Sequence, residues 1–512
     1  MTGERADIRP HLVSGVAATM TVLAMGLGYA ISIGDPTVLS TNLQFVADGL
    51  QISPDTASFV ASLASLAMAA TVLAAGALGD KFGMRRMYLV GLCGSIVFSA
   101  ISAAAPMSTV LMVARAGEGV ALAFLIGLSL AITNAVFPPA RRTAAIAAYF
   151  GVGYIVSTPL PAISGKLADV IGWRACFFVV PIIAVVGLVI TWRYVPATVR
   201  AHRRLDLVGL CLFAVTLLGL IYGFSRLEMG IDRIGVVSIA VGLLAGGGFV
   251  IHERRTPEPA LDMRVFGSGR FNAAATAGLV FNFVTAGSLV VLSFYLVTIR
   301  QDSPQLLGLL LIPATALSAA AATLAGPAMN RAGARTVLVG GLLVALSGLI
   351  LMRFFDLNTS TLAVFVAVAL IMVGGALVGT PQATIMMSSA PDELGGSIAG
   401  VKSAINEGGF SLGPTIFALV GVNYFFNSIV GELHGSGITH EDVRDAMRTA
   451  HGGGHDAHVL DPELARLVVE HGPHNMVEAI QTLSLVMAVA PVIAIVLALW
   501  LIKPERKDAA SR

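Results

Sequence analysis

Gly76-Ala77-Leu78-Gly79-Asp80-Lys81-Phe82-Gly83-Met84-Arg85-Arg86 is the stretch that decides the fold. It places glycine and charge between two long apolar segments, one ending near Leu78 and the next starting near Met87. Gly79 and Gly83 permit the backbone angles of a tight turn. The charges need a separate reason, and the composition around them gives their setting. Of 512 residues, 56% are hydrophobic and only 12% charged, with a mean hydropathy of +0.83. A soluble chain carries roughly 25% charged residues. The sequence therefore reads as an all-α polytopic membrane protein, with residues 76–86 as a polar connection between two spans.

Other classes fall away on the same grounds. A net charge of +2, with no interleaving of basic and aromatic residues, argues against a nucleic-acid partner. Cys93, Cys176 and Cys211 lie in apolar stretches without pair spacing, so they read as small hydrophobes, and no metal site or disulfide is expected. No Gly-x-x-x-x-Gly-Lys-Ser/Thr loop occurs, which argues against ATP as the energy source, and no cofactor is expected. The apolar stretch after residues 1–10 is longer than a signal-peptide core and lacks a convincing cleavage site, so it is read as a retained first span.

A bilayer core takes roughly 20 apolar residues per helix. Fourteen stretches qualify, near 13–36, 57–78, 87–105, 108–134, 143–165, 175–194, 207–225, 234–251, 271–298, 305–325, 336–352, 361–386, 398–422 and 478–502. Alternate loops holding Lys81, Arg85, Arg86, Arg141, Arg142, Arg331 and Arg335 are richer in basic residues than those holding Lys166, Arg174 and Arg353. The positive-inside rule then places the basic loops and both termini in the cytoplasm. The only long loop, residues 427–477, is placed outside.

The opening stretch has a second copy. Gly326-Pro327-Ala328-Met329-Asn330-Arg331-Ala332-Gly333-Ala334-Arg335 lays over it, with Asn330 on Asp80, Gly333 on Gly83 and Arg335 on Arg85. Pro161 and Pro414 give a second pair at nearly the same offset. The simplest arrangement is 6+2+6: an N-terminal half in residues 1–200, two inserted helices and a linker in 201–270, and a C-terminal half in 271–512. Repeated halves around a central site are a transporter architecture.

Residues 76–86 resemble the Gly-x-Leu-x-Asp-x-x-Gly-x-Arg-x loop motif of the major facilitator superfamily. Arg115-Ala116-Gly117-Glu118-Gly119 resembles its span-four Arg-x-x-x-Gly motif. Gly409-Phe410-Ser411-Leu412-Gly413-Pro414 resembles the Gly-x-x-x-Gly-Pro motif associated with antiporters. Asp35-Pro36-Thr37-Val38, Gly172-Trp173-Arg174 and the span count resemble the fourteen-helix drug:proton antiporter branch. The resemblance implies a major facilitator fold and a plasma (inner) membrane exporter of multidrug type, working as a monomer. Two departures stand out. The span-five glycines are reduced to Pro159, Pro161 and Ser164-Gly165, and the acids that exporters of organic cations often carry in spans two and ten are missing, with Ser62 at the span-two position.

An ionisable group at the bilayer centre costs roughly 2.5 kcal/mol or more, so each one needs a partner, a water-filled cavity or a job. Glu407 lies about 13 Å into span thirteen at 1.5 Å per residue, near the midplane. It is a candidate proton site, with Asn406 beside it to orient it or to touch substrate; pairing with Lys402 or Arg115 is the structural alternative. Asp35, ahead of the helix-kinking Pro36, is the second candidate, unless it is simply solvated near the outer interface. Arg115 and Glu118 stand three apart on one helix face and read either as an internal ion pair or, by resemblance, as coupling and cavity residues. Asp80 can cap a helix end or pair with Arg85, so Gly76, Asp80, Gly83, Arg85 and Arg86 are read as a cytoplasmic gate. Asn330 and Arg335 form a weaker second gate.

The 427–477 loop contains His434, His440, His451, His455, His458, His471 and His474. Its glycine tract is too loose to preorganise a metal site, so it reads as solvated, with short amphipathic helices at 438–449 and 461–470. Phe150, Tyr154, Phe281 and Phe283 read either as core packing or as the floor of a cavity. Together these features predict a proton-coupled exporter of lipophilic small molecules, cationic or neutral, rather than an enzyme. An exporter of an endogenous lipid or metabolite and a non-transporting membrane sensor are the alternatives.

Overall fold

The computed structural model describes residues 13–52, 54–198, 205–227, 233–261, 263–302, 305–389, 394–432 and 462–503. Among these, every regular element is helical. The long helices are α1 (Gly15–Thr41), α3 (Pro54–Phe82), α4 (Met84–Ala104), α5 (Ser108–Val136), α6 (Pro139–Ser157), α8 (Val179–Tyr194), α9 (Leu207–Leu227), α10 (Arg233–Arg255), α11 (Gly269–Phe294), α12 (Gln305–Ala332), α13 (Ala334–Met352), α14 (Thr361–Met387), α15 (Gly395–Glu432) and α16 (Pro462–Leu501). Short α2 (Leu43–Leu50) and α7 (Leu160–Val170) complete the set.

Thirteen helical stretches among the described residues are long and apolar enough to cross a membrane. The fourteen spans expected from the sequence include one near 398–422, where the 38-residue α15 lies between the last two of the thirteen. Two boundaries differ from the sequence reading. Span five breaks at Thr158–Pro159 into α6 and α7, because Pro159 and Pro161 each remove a backbone donor. Residues 461–470 are not a separate amphipathic helix: from Pro462 they form the first turns of the 40-residue α16. His434, His440, His451, His455 and His458, and the helix expected at 438–449, lie outside the described residues.

The two copies of the opening motif make the same joint. Gly83 (φ +100°) separates α3 from α4 and Gly333 (φ +83°) separates α12 from α13. A single residue turns the chain each time, at an angle that side chains rarely adopt. The offset of 250 residues seen in sequence (333 − 83) is thus repeated in backbone geometry.

Helices α1 to α8 pack among themselves, as do α11 to α16. The two sets meet through α3 on α15, α6 on α12, and α5 and α14 on those seam helices. Small residues permit the close approach: a Cβ on Gly400 would sit 2.9 Å from the Val72 carbonyl, and one on Gly326 2.9 Å from the Ala147 Cβ. Within the second set, Gly409 and Gly413 press α15 onto the α11 backbone at Leu279 and Phe283. Burial separates centre from periphery. It covers 83% of the α5 span but 17% of the α9 and α10 spans, whose Leu243 and Leu244 face outward. α9 and α10 pair with each other, and α9 also touches α3 and α15, so the inserted pair lies along the outside of the seam.

Candidate functional site

A cavity of about 1850 Å³ lies between the two helix sets. On α1 its wall runs from Tyr29 to Thr41, on α3 from Thr56 to Ala69, and on α12 from Gly308 to Ser318. These are the C-terminal half of α1 and the N-terminal halves of α3 and α12, all on the side away from residues 76–86. The cavity is therefore open towards the face opposite the basic loops and ends near the middle of the helices.

The basic face is shut by the opening stretch itself. The Asp80 carboxylate reaches across the seam to the first turn of α15, where Oδ1 accepts the Gly396 N–H at 2.8 Å. Oδ2 accepts the Ser397 N–H at 2.9 Å and the Ser397 hydroxyl at 2.7 Å. The first N–H groups of a helix lack intrahelical partners and carry the positive end of its dipole, so a buried carboxylate is well placed there. Gly76 abuts the Gly396 carbonyl so closely that any side chain would force the seam apart. The Arg85 guanidinium donates to the Trp192 carbonyl at 2.6 Å and ties α4 to α8. Arg86 is exposed. In the second copy Asn330 is exposed, and no hydrogen bond from Asn330 or Arg335 crosses the seam among the described residues.

The carboxylates divide into two groups. Asp35, Arg115 and Glu118 were expected at the cavity, but all three are at most 2% exposed and none lines it. Arg115 does not pair with Glu118 on its own helix. It grips Asp35 on α1 with both terminal nitrogens, Nη1 to Oδ1 at 3.1 Å and Nη2 to Oδ2 at 2.5 Å. Glu118 instead accepts the hydroxyls of Ser95 at 2.6 Å and Ser99 at 3.2 Å on α4. Helical spacing allowed the i,i+3 pair, but a forked guanidinium is better satisfied by a carboxylate facing it from another helix. These residues weld α1, α4 and α5 together behind the cavity wall.

Glu407 is in the other group. It lines the cavity from α15, together with Lys402 and Asn406. The Asn406 amide pairs with that of Gln382 on α14 at 2.8 Å rather than holding Glu407. Among the described residues no ion pair joins Glu407 to Lys402 or Arg115, and Lys402 shares the cavity wall with it. Tyr29 of α1 lines the same cavity. Phe150, Tyr154 and Phe281 are on the wall, whereas Phe283 is among the packing residues of the core. Tyr29, Gln382 and Lys402 were missed as cavity residues. The signal for the last two was present, since each is a polar side chain inside an apolar span, the same reason that singled out Glu407.

A polytopic helical protein with two packed helix sets, a central cavity open to one face and a seam closed at the other is built as a membrane transporter. The chain belongs to the Major Facilitator Superfamily, whose model matches residues 25–414. It is 32% identical over 407 residues to the Multidrug resistance protein Stp of Mycobacterium tuberculosis, covering 78% of this chain and 75% of that one. It is 28% identical over 408 residues to the Tetracenomycin C resistance and export protein of Streptomyces glaucescens, covering 78% and 75%. The proton:xylose symporter XylE is similar in fold, with a TM-score of 0.59, 13% identity and coverage of 95% of this chain and 96% of that one.

Proposed function

We propose that this protein is a proton-coupled secondary exporter of lipophilic small molecules, of multidrug type, in the plasma (inner) membrane. The observation that carries the coupling is Glu407, an acid with no ion pair among the described residues, on the wall of a cavity that is open on one side only. A carboxyl in such a place is protonated when the cavity faces the side of high proton concentration and loses its proton when the opening reverses. Resistance and efflux relatives support the direction, outward, and the substrate class.

In this reading the basic face is cytoplasmic, both termini are inside, and the state described is outward-open. Residues 1–200 and 271–512 rock against each other as two halves, with 201–270 as a peripheral bridge and the monomer as the working unit. Gly76, Asp80 and Gly83 form the inner gate. Asp35, Arg115 and Glu118 stiffen the first half and act on coupling indirectly, while Gly409, Gly413 and Pro414 set how α15 seats on α11. An exporter of an endogenous lipid or metabolite is the second reading, favoured by Ser62 and the absence of any acid on the α12 wall.

The test is transport in vesicles with an imposed pH gradient. Wild type moves a lipophilic dye against its gradient, and Glu407→Gln abolishes gradient-driven movement while leaving the protein folded. Full transport by that variant, or transport indifferent to the gradient, refutes the coupling assignment.

A further inference from the structure

We propose that Lys402 makes this cavity selective for zwitterionic or strongly dipolar amphiphiles and screens out simple lipophilic cations. The proposal rests on the exporter reading of the same cavity and names its substrate class.

Lys402 is 6% exposed, yet it lines the cavity. Its ammonium sits 5.0 Å from the centre of the Phe150 ring, which belongs to the other helix set. No carboxylate lies within ion-pair distance of it among the described residues. A buried ammonium whose partner is a ring face is left with hydrogen-bond donors to satisfy. Such a group favours any ligand that brings an anionic or strongly accepting end to it.

The other titratable groups facing the cavity are Tyr29 on α1, Tyr154 on α6, Tyr222 and Arg226 on α9, and Glu407 on α15. Glu407 is thus the only acid on the described wall. A permanent cation entering the cavity would be attracted by one carboxylate and repelled by Lys402 five residues away on the same helix. A molecule with a carboxylate or phenolate at one end and an amine at the other satisfies both. The Gln382–Asn406 amide pair adds hydrogen-bonding capacity between the two helices beside them. Coupling has the right sign for antiport, because a proton on Glu407 competes with the amine end of the substrate for the same carboxylate. An anion alone would bind best when Glu407 is protonated, which is the sign of symport.

The experiment uses two dyes with one chromophore: a rhodamine with a free carboxylate, zwitterionic at neutral pH, and its methyl ester, a permanent cation. Export from vesicles and fluorescence-polarisation binding in detergent are both measured. Wild type favours the free acid over the ester by about tenfold, the worth of one charge-assisted hydrogen bond. Lys402→Met removes or inverts that preference by weakening the acid and sparing or improving the ester; Lys402→Arg retains it. An acid-to-ester ratio that is the same in wild type and Lys402→Met overturns the proposal, even when both dyes are exported and the exporter reading stands. Absence of gradient-driven export of either dye, with the binding ratio still shifted by Lys402→Met, overturns the exporter reading and leaves the selectivity assignment intact. If Lys402→Met does not fold, the binding ratio of Lys402→Gln decides in its place.

Discussion

At the residue scale, two kinds of intramembrane charge follow different rules. The Asp35–Arg115 pair is fully enclosed, so its Coulombic gain largely offsets desolvation and adds little net stability. Removing one partner is another matter, because it strands the other charge in a dry interior. Arg115→Ala is expected to cost about 3–5 kcal/mol, read as a large drop in thermal midpoint in detergent. Lys at that position would not restore the fork, since a point ammonium cannot match both carboxylate oxygens. Asp35→Asn with undiminished thermal stability would contradict this structural role.

At the element scale, the joint between α3 and α15 is held by three hydrogen bonds to one carboxylate. Asp80→Ala leaves the first turn of α15 uncapped and is expected to cost about 1–2 kcal/mol of the seam-closed state. Spin–spin distances across the basic face should then broaden towards an opened population, and Gly76→Val should do the same by steric means. Unchanged distance distributions in both variants would remove Asp80 from the gate. The α9–α10 pair has its own cap at the basic face. Asp206 accepts the Gly209 N–H at 2.9 Å and the His252 ring nitrogen at 2.9 Å. Burial would raise this carboxyl, but the Gly209 amide and His252 outweigh it and hold it below the ordinary aspartate range. A depressed native value means stability present above the unfolded value of about 3.9 and lost as pH falls through the lower native one. Acid melting of α9–α10, followed by amide exchange, is expected to begin in that window and to vanish as a distinct step in Asp206→Asn.

At the scale of the whole molecule, one face is open and the other shut, so sidedness is testable without transport. In the proposed orientation, cysteines at Ser40 and Thr41, at the mouth, react with an impermeant maleimide added outside intact cells. A cysteine at Arg86 reacts only after permeabilisation. The reverse pattern would invert the topology. Trp192 (71% exposed) and Trp500 (79% exposed) lie near the basic-face ends of α8 and α16, where an aromatic belt marks the membrane interface.

The helical membrane architecture and the two matching joints were legible because they depend on local features: long apolar runs and glycines at angles that side chains rarely adopt. Gly83 and Gly333 had to be glycine whatever surrounded them, so the sequence alone located both joints. The partners of the charged residues were not legible. Spacing on one helix allowed Arg115 with Glu118, whereas Arg115 meets Asp35 from α1; a helix end was one of two partners open to Asp80, but nothing in the spacing made it the first turn of α15, at Gly396 and Ser397. The division of acids into a sealed group and a cavity group was likewise decided only by packing, because helical periodicity fixes which face a residue is on but not what the neighbouring helix presents to it. Residues 76–86 were recognisable as a hinge of charge between spans; that Asp80 closes the seam by capping a helix more than three hundred residues away is a fact of the tertiary structure.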